Sequence, residues 1–297
     1  MNYLSRRLKF LVPALFLSIL LSCSDDETNE PSVSSVDDSL ASLPEDTGGV
    51  HIAKVLGSTS AAFGYYIYLP GGYNESKANY PVMVFLHGKS ERGDGTDNPE
   101  ILDKVLRNGP PKMIEKGEWS TTYPMIVVSP QYHGTTGNAN NWGAGDADNL
   151  KEFIEHLLSS YRINKRRIYL TGLSHGGNGV YDYLTNVEDS VNYIAAAAPV
   201  AAYGAKKGVE KSRNTPVWVF VGDKDGANVS TSKEFVRLYN EQQPVPVHRA
   251  KISVYNNVGH DVWTRTYNGE GMGTVDSKYD PFDMSLYDWM FQFERPE

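Results

Sequence analysis

From residue 51 onward, apolar runs rich in Val, Ile and Tyr alternate with longer stretches whose apolar residues recur at helical spacing. Residues 64–70 read as an early strand and residues 80–86, Tyr-Pro-Val-Met-Val-Phe-Leu, as a buried one. Further strands are predicted over 123–129, 167–171, 193–198, 216–221 and 249–255. Between them, 148–158, 176–186 and 232–239 carry the helical period, and 282–291 reads as a closing helix. Strands separated by helices of this length predict an α/β protein: a mostly parallel central sheet with helices on both faces. The Gly-, Pro- and charge-rich stretch 88–120 is expected to cap the sheet as a loop with a short helix. No internal repeat is visible.

The pattern changes before residue 50. Arg6, Arg7 and Lys9 precede an apolar run from Phe10 to Leu21, followed by Ser22-Cys23. A basic head and a short apolar run are the pattern of a secretory signal, too short for a comfortable membrane span. The small residue before cysteine resembles a bacterial lipobox, which implies cleavage before Cys23 and lipid on its thiol. Cys23 is the one cysteine of the chain, so no disulfide is expected within it. Residues 24–49 hold eight acidic and no basic side chains, with Ser, Pro and Gly and few bulky apolar residues, and read as a flexible tether. Ser24-Asp25-Asp26-Glu27 also resembles the surface-export signals of Bacteroidetes lipoproteins; a plain solvated tether is the alternative. The expected plan is a lipoprotein signal over 1–22, a lipidated Cys23 and acidic tether over 23–49, and the folded α/β domain over 50–297. The expected location is the outer membrane, with the cell-surface face as one reading.

Composition narrows the rest. With 297 residues, 40% hydrophobic and 22% charged, the chain can bury a sizeable core. The formal net charge of −8 at pH 7 comes mostly from the tether, and no Lys/Arg run suggests nucleic acid as a partner.

The candidate chemistry lies at the ends of predicted strands. After the strand ending at Thr171 comes Gly172-x-Ser174-x-Gly176, the pattern of a nucleophile elbow, where side chains at the two glycines would strike the backbone of a sharp strand-to-helix turn. Reactive groups in open α/β sheets collect at the carboxyl ends of strands, and three further loops qualify. His87-Gly88-Lys89 follows Leu86, at the place that supplies one oxyanion-hole N–H. The main chains of Lys89 and of His175, the residue after the serine, are the expected donors. The side chains of His87 and His175 are expected to hydrogen-bond within the turn. Gly222-Asp223-Lys224-Asp225 follows Val221, and a serine–histidine pair needs an acid here to fix the imidazole tautomer. Asp225, three residues after the glycine, matches the usual acid better than Asp223, which is expected to shape the turn. Gly259-His260-Asp261 follows the last strand and makes His260 the expected base, closing the chain order serine, acid, histidine. Trp142, Trp263 and Tyr267 are candidates to line a substrate cleft, with core packing as the alternative. Asp146-Ala-Asp148 lacks the spacing of a calcium loop and is expected to start a helix, so neither a metal nor an organic cofactor is expected.

The blocks Leu86-His87-Gly88-Lys-Ser-Glu-Arg-Gly93, Thr171-Gly-Leu-Ser-His-Gly-Gly177, Val217-Trp-Val-Phe-Val-Gly-Asp-Lys-Asp225 and Gly259-His-Asp-Val-Trp-Thr264 resemble a known family. They are similar to those of the secreted esterases often labelled predicted peptidases, near the polyhydroxybutyrate depolymerase, feruloyl esterase and acetyl xylan esterase group of α/β hydrolases. The resemblance spans roughly residues 52–294. It implies the α/β-hydrolase fold, with Ser174 as nucleophile, His260 as base, Asp225 as acid, and Lys89 with His175 as oxyanion donors. It further implies an ester substrate, an acetyl or feruloyl group on a plant or algal polysaccharide, and no cofactor. Two positions depart from the family pattern: His175 stands where relatives usually carry methionine or another neutral residue, and Val221-Gly222 where many carry His-Gly. The Gly-rich stretch 266–281 is a candidate pocket rim. A prolyl-oligopeptidase-like peptidase shares this chain order but usually adds a propeller domain. A catalytically inactive glycan-binding module would have no need of all three triad residues.

Overall fold

Eight strands form one sheet: β1 (Val50–Lys54), β2 (Gly64–Leu69), β3 (Tyr80–Leu86), β4 (Ile126–Gln131), β5 (Ile163–Leu173), β6 (Ile194–Val200), β7 (Trp218–Gly222) and β8 (Lys251–Tyr255). These come from a computed structural model that describes residues 38–134, 142 and 146–296. The signal segment, Cys23 and the tether up to residue 37 lie outside the described residues.

The order across the sheet is β1-β2-β4-β3-β5-β6-β7-β8. The pairs β1/β2 and β2/β4 are antiparallel, and every pair from β4 through β8 is parallel. The parallel strands are buried on both faces, which is why their sequences read as unbroken apolar runs. Alternation still sorts each strand between two cores. Val82, Val84 and Leu86 of β3 pack on one side, with the helices Ala147–Ser160, His175–Asn186 and Gly226–Asn240. Met83 and Phe85 pack on the other, with Gly109–Glu115, Trp263–Tyr267 and Leu286–Phe291.

Three regions differ from expectation. β1, an edge strand with mostly half-exposed positions, lacks the apolar run that marked the others. The compact unit includes residues from Asp38 on, so the segment just before residue 50 is part of it. Asp46 explains the docking of this acidic segment: it is buried, and its carboxylate accepts hydrogen bonds from Tyr68 Oη (2.9 Å), Gly48 N (3.0 Å) and Gly71 N (2.7 Å). Finally, the stretch 266–281 mostly covers the open side of β8 instead of rimming the pocket. Val275 bridges Tyr255, and the Asp276 and Asp280 N–H groups donate to the carbonyls of Val254 and Ile252.

Candidate active site

Ser174 stands between β5 and the helix His175–Asn186 with φ 52° and ψ −116°, a left-handed conformation that a side chain adopts only under constraint. The constraint is visible on both sides. Its N–H donates to Val200 O of β6 at 2.9 Å, and its carbonyl accepts from Asn178 N at 3.0 Å. The turn is so tight that a Cβ on Gly172 would lie 2.6 Å from the Gly176 backbone, and one on Gly176 would lie 1.9 Å from Leu86 O. Both glycines of the motif are therefore required by close approach.

The Ser174 hydroxyl reaches His260 Nε2 at 2.8 Å. On the far side of the ring, Nδ1 lies 2.9 Å from both carboxylate oxygens of Asp225. A carboxylate accepts only, so it fixes the proton on Nδ1 and leaves Nε2 free to accept from the serine. The three side chains predicted from separate loops thus form one hydrogen-bonded chain. Asp223 is not part of it: its Oδ1 accepts from Val258 N at 3.1 Å and its own N–H donates to Tyr255 O, tying its loop to the one that carries His260. Asn228 is a contributor that the sequence did not reveal. Its amide donates to Asp225 Oδ2 at 3.1 Å from the first turn of the following helix, holding the carboxylate towards the imidazole.

Lys89 and His175 each open a helix, so their N–H groups belong to those left without an intrahelical acceptor. Both residues line a cleft of about 600 Å³ together with Ser174, His260 and Trp263. Behind it, His87 is buried with both ring nitrogens satisfied: Nδ1–H donates to Gly88 O at 2.6 Å, and Nε2 accepts from Tyr132 N at 2.9 Å. Burial lowers its pKa to about 4, so the ring is neutral and serves to fasten the end of β3 to the loop after β4. The half-buried His175 ring is also lowered, by burial first and then by the charges of Lys89, His260 and Arg92. Its Nδ1 has no hydrogen-bond partner.

Of the three aromatic candidates, Trp263 reaches the cleft, with its ring edge-to-face against His260 at 5.2 Å. Trp142 lies instead in the core, packed on Phe63, Tyr132 and His87 at 5.2–5.4 Å between ring centres. Tyr267 is 1% exposed, with its hydroxyl bonded to Thr171 Oγ1 at 2.9 Å; it meets only a small adjoining cavity of about 70 Å³. Both rings complete the packing under the site. Among the described residues, no group of three His, Cys, Asp or Glu side chains is placed to hold a metal ion.

No family model matches the chain. Its sequence is similar to a bifunctional acetylxylan esterase/xylanase of Neocallimastix patriciarum, 25% identical over 189 residues, covering 60% of this chain and 24% of that protein. It is also similar to poly(3-hydroxyalkanoate) depolymerase C of Paucimonas lemoignei, 27% identical over 140 residues, covering 42% of this chain and 28% of that one. The chain thus spans only about a quarter of the length of these curated relatives. Among solved structures, a thermostable esterase superposes with a TM-score of 0.58 at 22% identity, covering 84% of this chain and 64% of that one. A feruloyl esterase module from Clostridium thermocellum, complexed with sinapinate, superposes with a TM-score of 0.53 at 16% identity, covering 87% and 92%. With the strand order above, these likenesses identify the α/β-hydrolase fold.

Proposed function

We propose that this chain is a serine esterase that cleaves carboxylic esters through an acyl-enzyme, with Ser174 as nucleophile, His260 as base and Asp225 as orienting acid. The observation that carries this reading is the hydrogen-bonded chain Ser174–His260–Asp225, at 2.8 and 2.9 Å, with the serine on a constrained turn. In the first step Ser174 Oγ attacks the ester carbonyl as its proton passes to His260 Nε2. The developing oxyanion is held by the N–H groups of Lys89 and His175, and the fixed charge of Asp225 stabilises the imidazolium. The leaving alcohol takes the proton from His260. Water then gives its proton to Nε2 and attacks the acyl carbon, and Ser174 recovers its proton as the acid departs.

A carbohydrate-linked acetyl or feruloyl ester is the proposed substrate class. Support comes from the names of the relatives and from the open cleft with Trp263 at its wall, an aromatic face suited to a sugar or an aromatic acyl group. The test is turnover of p-nitrophenyl acetate, methyl ferulate and acetylated xylan, with alanyl and prolyl p-nitroanilides alongside, by the chain and its Ser174→Ala variant. Ester turnover should fall by at least about 10⁴-fold in the variant, with the anilides untouched by either protein. Equal rates in the two proteins would sink the reading.

The protein is further proposed to be a lipoprotein anchored through Cys23, which rests on the sequence pattern Leu20-Leu21-Ser22-Cys23 alone. Cys23→Ala should move it from the membrane fraction to the soluble one; retention on membranes would remove the anchor.

A further inference from the structure

One group in the cleft has no place in the mechanism above. Glu91 is 1% exposed, yet it lines the same cleft as Ser174. Its Oε1 accepts from the Asn108 amide, and its main-chain carbonyl accepts from Gln131 Nε2 at 2.9 Å, which holds the residue in place. Its Oε2 is buried with no hydrogen-bond partner. A buried carboxylate oxygen left unsatisfied is costly, and such groups persist where something else completes them.

The direction of Oε2 follows from Gly88. A Cβ placed on Gly88 would lie 2.7 Å from Leu173 Cδ1, 3.1 Å from Glu91 Oε2 and 3.7 Å from Ser174 Cβ. The unpartnered oxygen and the serine therefore face one spot beside Gly88, bounded on its third side by the Leu173 methyl. Whatever completes Oε2 must donate a hydrogen bond, because a carboxylate only accepts. It must also lie close to the carbonyl under attack, since that carbonyl sits about 3 Å from the nucleophile.

Building on the serine esterase reading, we infer that Glu91 is a specificity residue that recognises a hydroxyl group on the substrate within a few bonds of the scissile ester. The hydroxyl donates to Oε2 while the ester carbonyl lies against Ser174, so an ester bearing such a hydroxyl binds in register and a plain alkyl ester leaves the carboxylate unpaired. The same chemistry is offered by a hydroxyacyl group on the acid side or by a neighbouring hydroxyl of a polyol on the alcohol side.

The experiment compares kcat/KM within two matched pairs. On the acid side these are p-nitrophenyl 3-hydroxybutyrate and p-nitrophenyl butyrate; on the alcohol side, glycerol monoacetate and propyl acetate. The expected result is a preference of at least about tenfold for the hydroxylated member of one pair, the scale of a hydrogen bond to a charged acceptor. The pair that shows it identifies the side. The preference should fall several-fold in Glu91→Gln, which keeps an acceptor but not the charge, and should vanish in Glu91→Leu. If Glu91→Leu does not fold, the wild-type ratio and the glutamine variant still decide. Turnover of the plain esters that depends on Ser174, with no preference in either pair, would overturn this inference and leave the esterase reading intact. A preference unchanged in the folded variants would also overturn it. No turnover of any of the four would remove both.

Discussion

Two histidines at the candidate site, His260 and His87, differ in what their ring nitrogens meet. His260 has one nitrogen on a carboxylate and the other on a hydroxyl, so a proton can move along it. His87 has both nitrogens on main-chain groups and a pKa lowered to about 4 by burial. This makes a prediction about stability. The unfolded chain binds a proton on this ring near pH 6.5, whereas the folded chain resists it until about pH 4, so the unfolded state binds more protons between those values. The contribution of His87 is fully present above pH 6.5 and is lost as pH falls towards 4, by on the order of 3 kcal/mol. His51, His156 and His175, also lowered chiefly by burial, add to the same slope. Urea unfolding from pH 7.5 down to 4 should show the decline, and His87→Phe should show a shallower one; identical slopes would refute the assignment. Ser174, Asp225 and His260 were legible because each sits just beyond a strand, in a loop with glycine. The placement of Glu91 and Asn228 was not, because a glutamate whose partner Asn108 lies elsewhere in the chain, or an amide in the first turn of a helix, carries no sequence mark of what it meets.

At the scale of elements, the elbow is a collision avoided. The helix that starts at His175 comes so close to the end of β3 that a Cβ on Gly176 would lie 1.9 Å from Leu86 O, against backbone that cannot swing aside. Gly176→Ala should therefore cost about 3 kcal/mol or more, because overpacking here displaces a strand end rather than a side chain. It should also lower kcat more than KM, since the shift moves Ser174 relative to His260 and Lys89. A denaturation midpoint within error of wild type would show that the turn has slack. The same view explains which elements could be read in advance. β3 through β8 are buried on two faces and announce themselves by composition alone. β1 pairs only with β2 at the sheet's edge, and the helix Trp263–Tyr267 is a single turn capped by Asp261, whose Oδ1 accepts from Thr264 N at 3.2 Å. Neither is long enough to display a period. The stretch 275–280 lies along β8 largely through main-chain hydrogen bonds, which carry no side-chain signature, with the Asp280 carboxylate also accepting from Ile252 N at 2.8 Å.

For the molecule as a whole, composition does not reveal that the segment just before residue 50 docks on the sheet. An acidic run without bulky apolar residues has little to bury, and on that argument residues 24–49 read as a tether. It fails at Asp46 because a carboxylate can dock through charge-assisted hydrogen bonds instead of apolar area. Tyr68 Oη and the N–H groups of Gly48 and Gly71 converge on it, and Tyr68 and Gly71 belong to β2 and the turn after it. Protein that begins at residue 50 loses the hydrogen bonds that the Tyr68 hydroxyl and the Gly71 N–H donate to this buried acceptor. It should unfold at lower urea than protein that begins at residue 38, by about 3 kcal/mol, and Asp46→Ala in the longer chain should reproduce most of that loss. The site lies at the carboxyl ends of β3, β5 and β7, so kcat/KM should change far less than stability in both. Equal urea midpoints for the two chains would mean that the segment rests on β2 without supporting it, and that the folded unit in effect starts at β1.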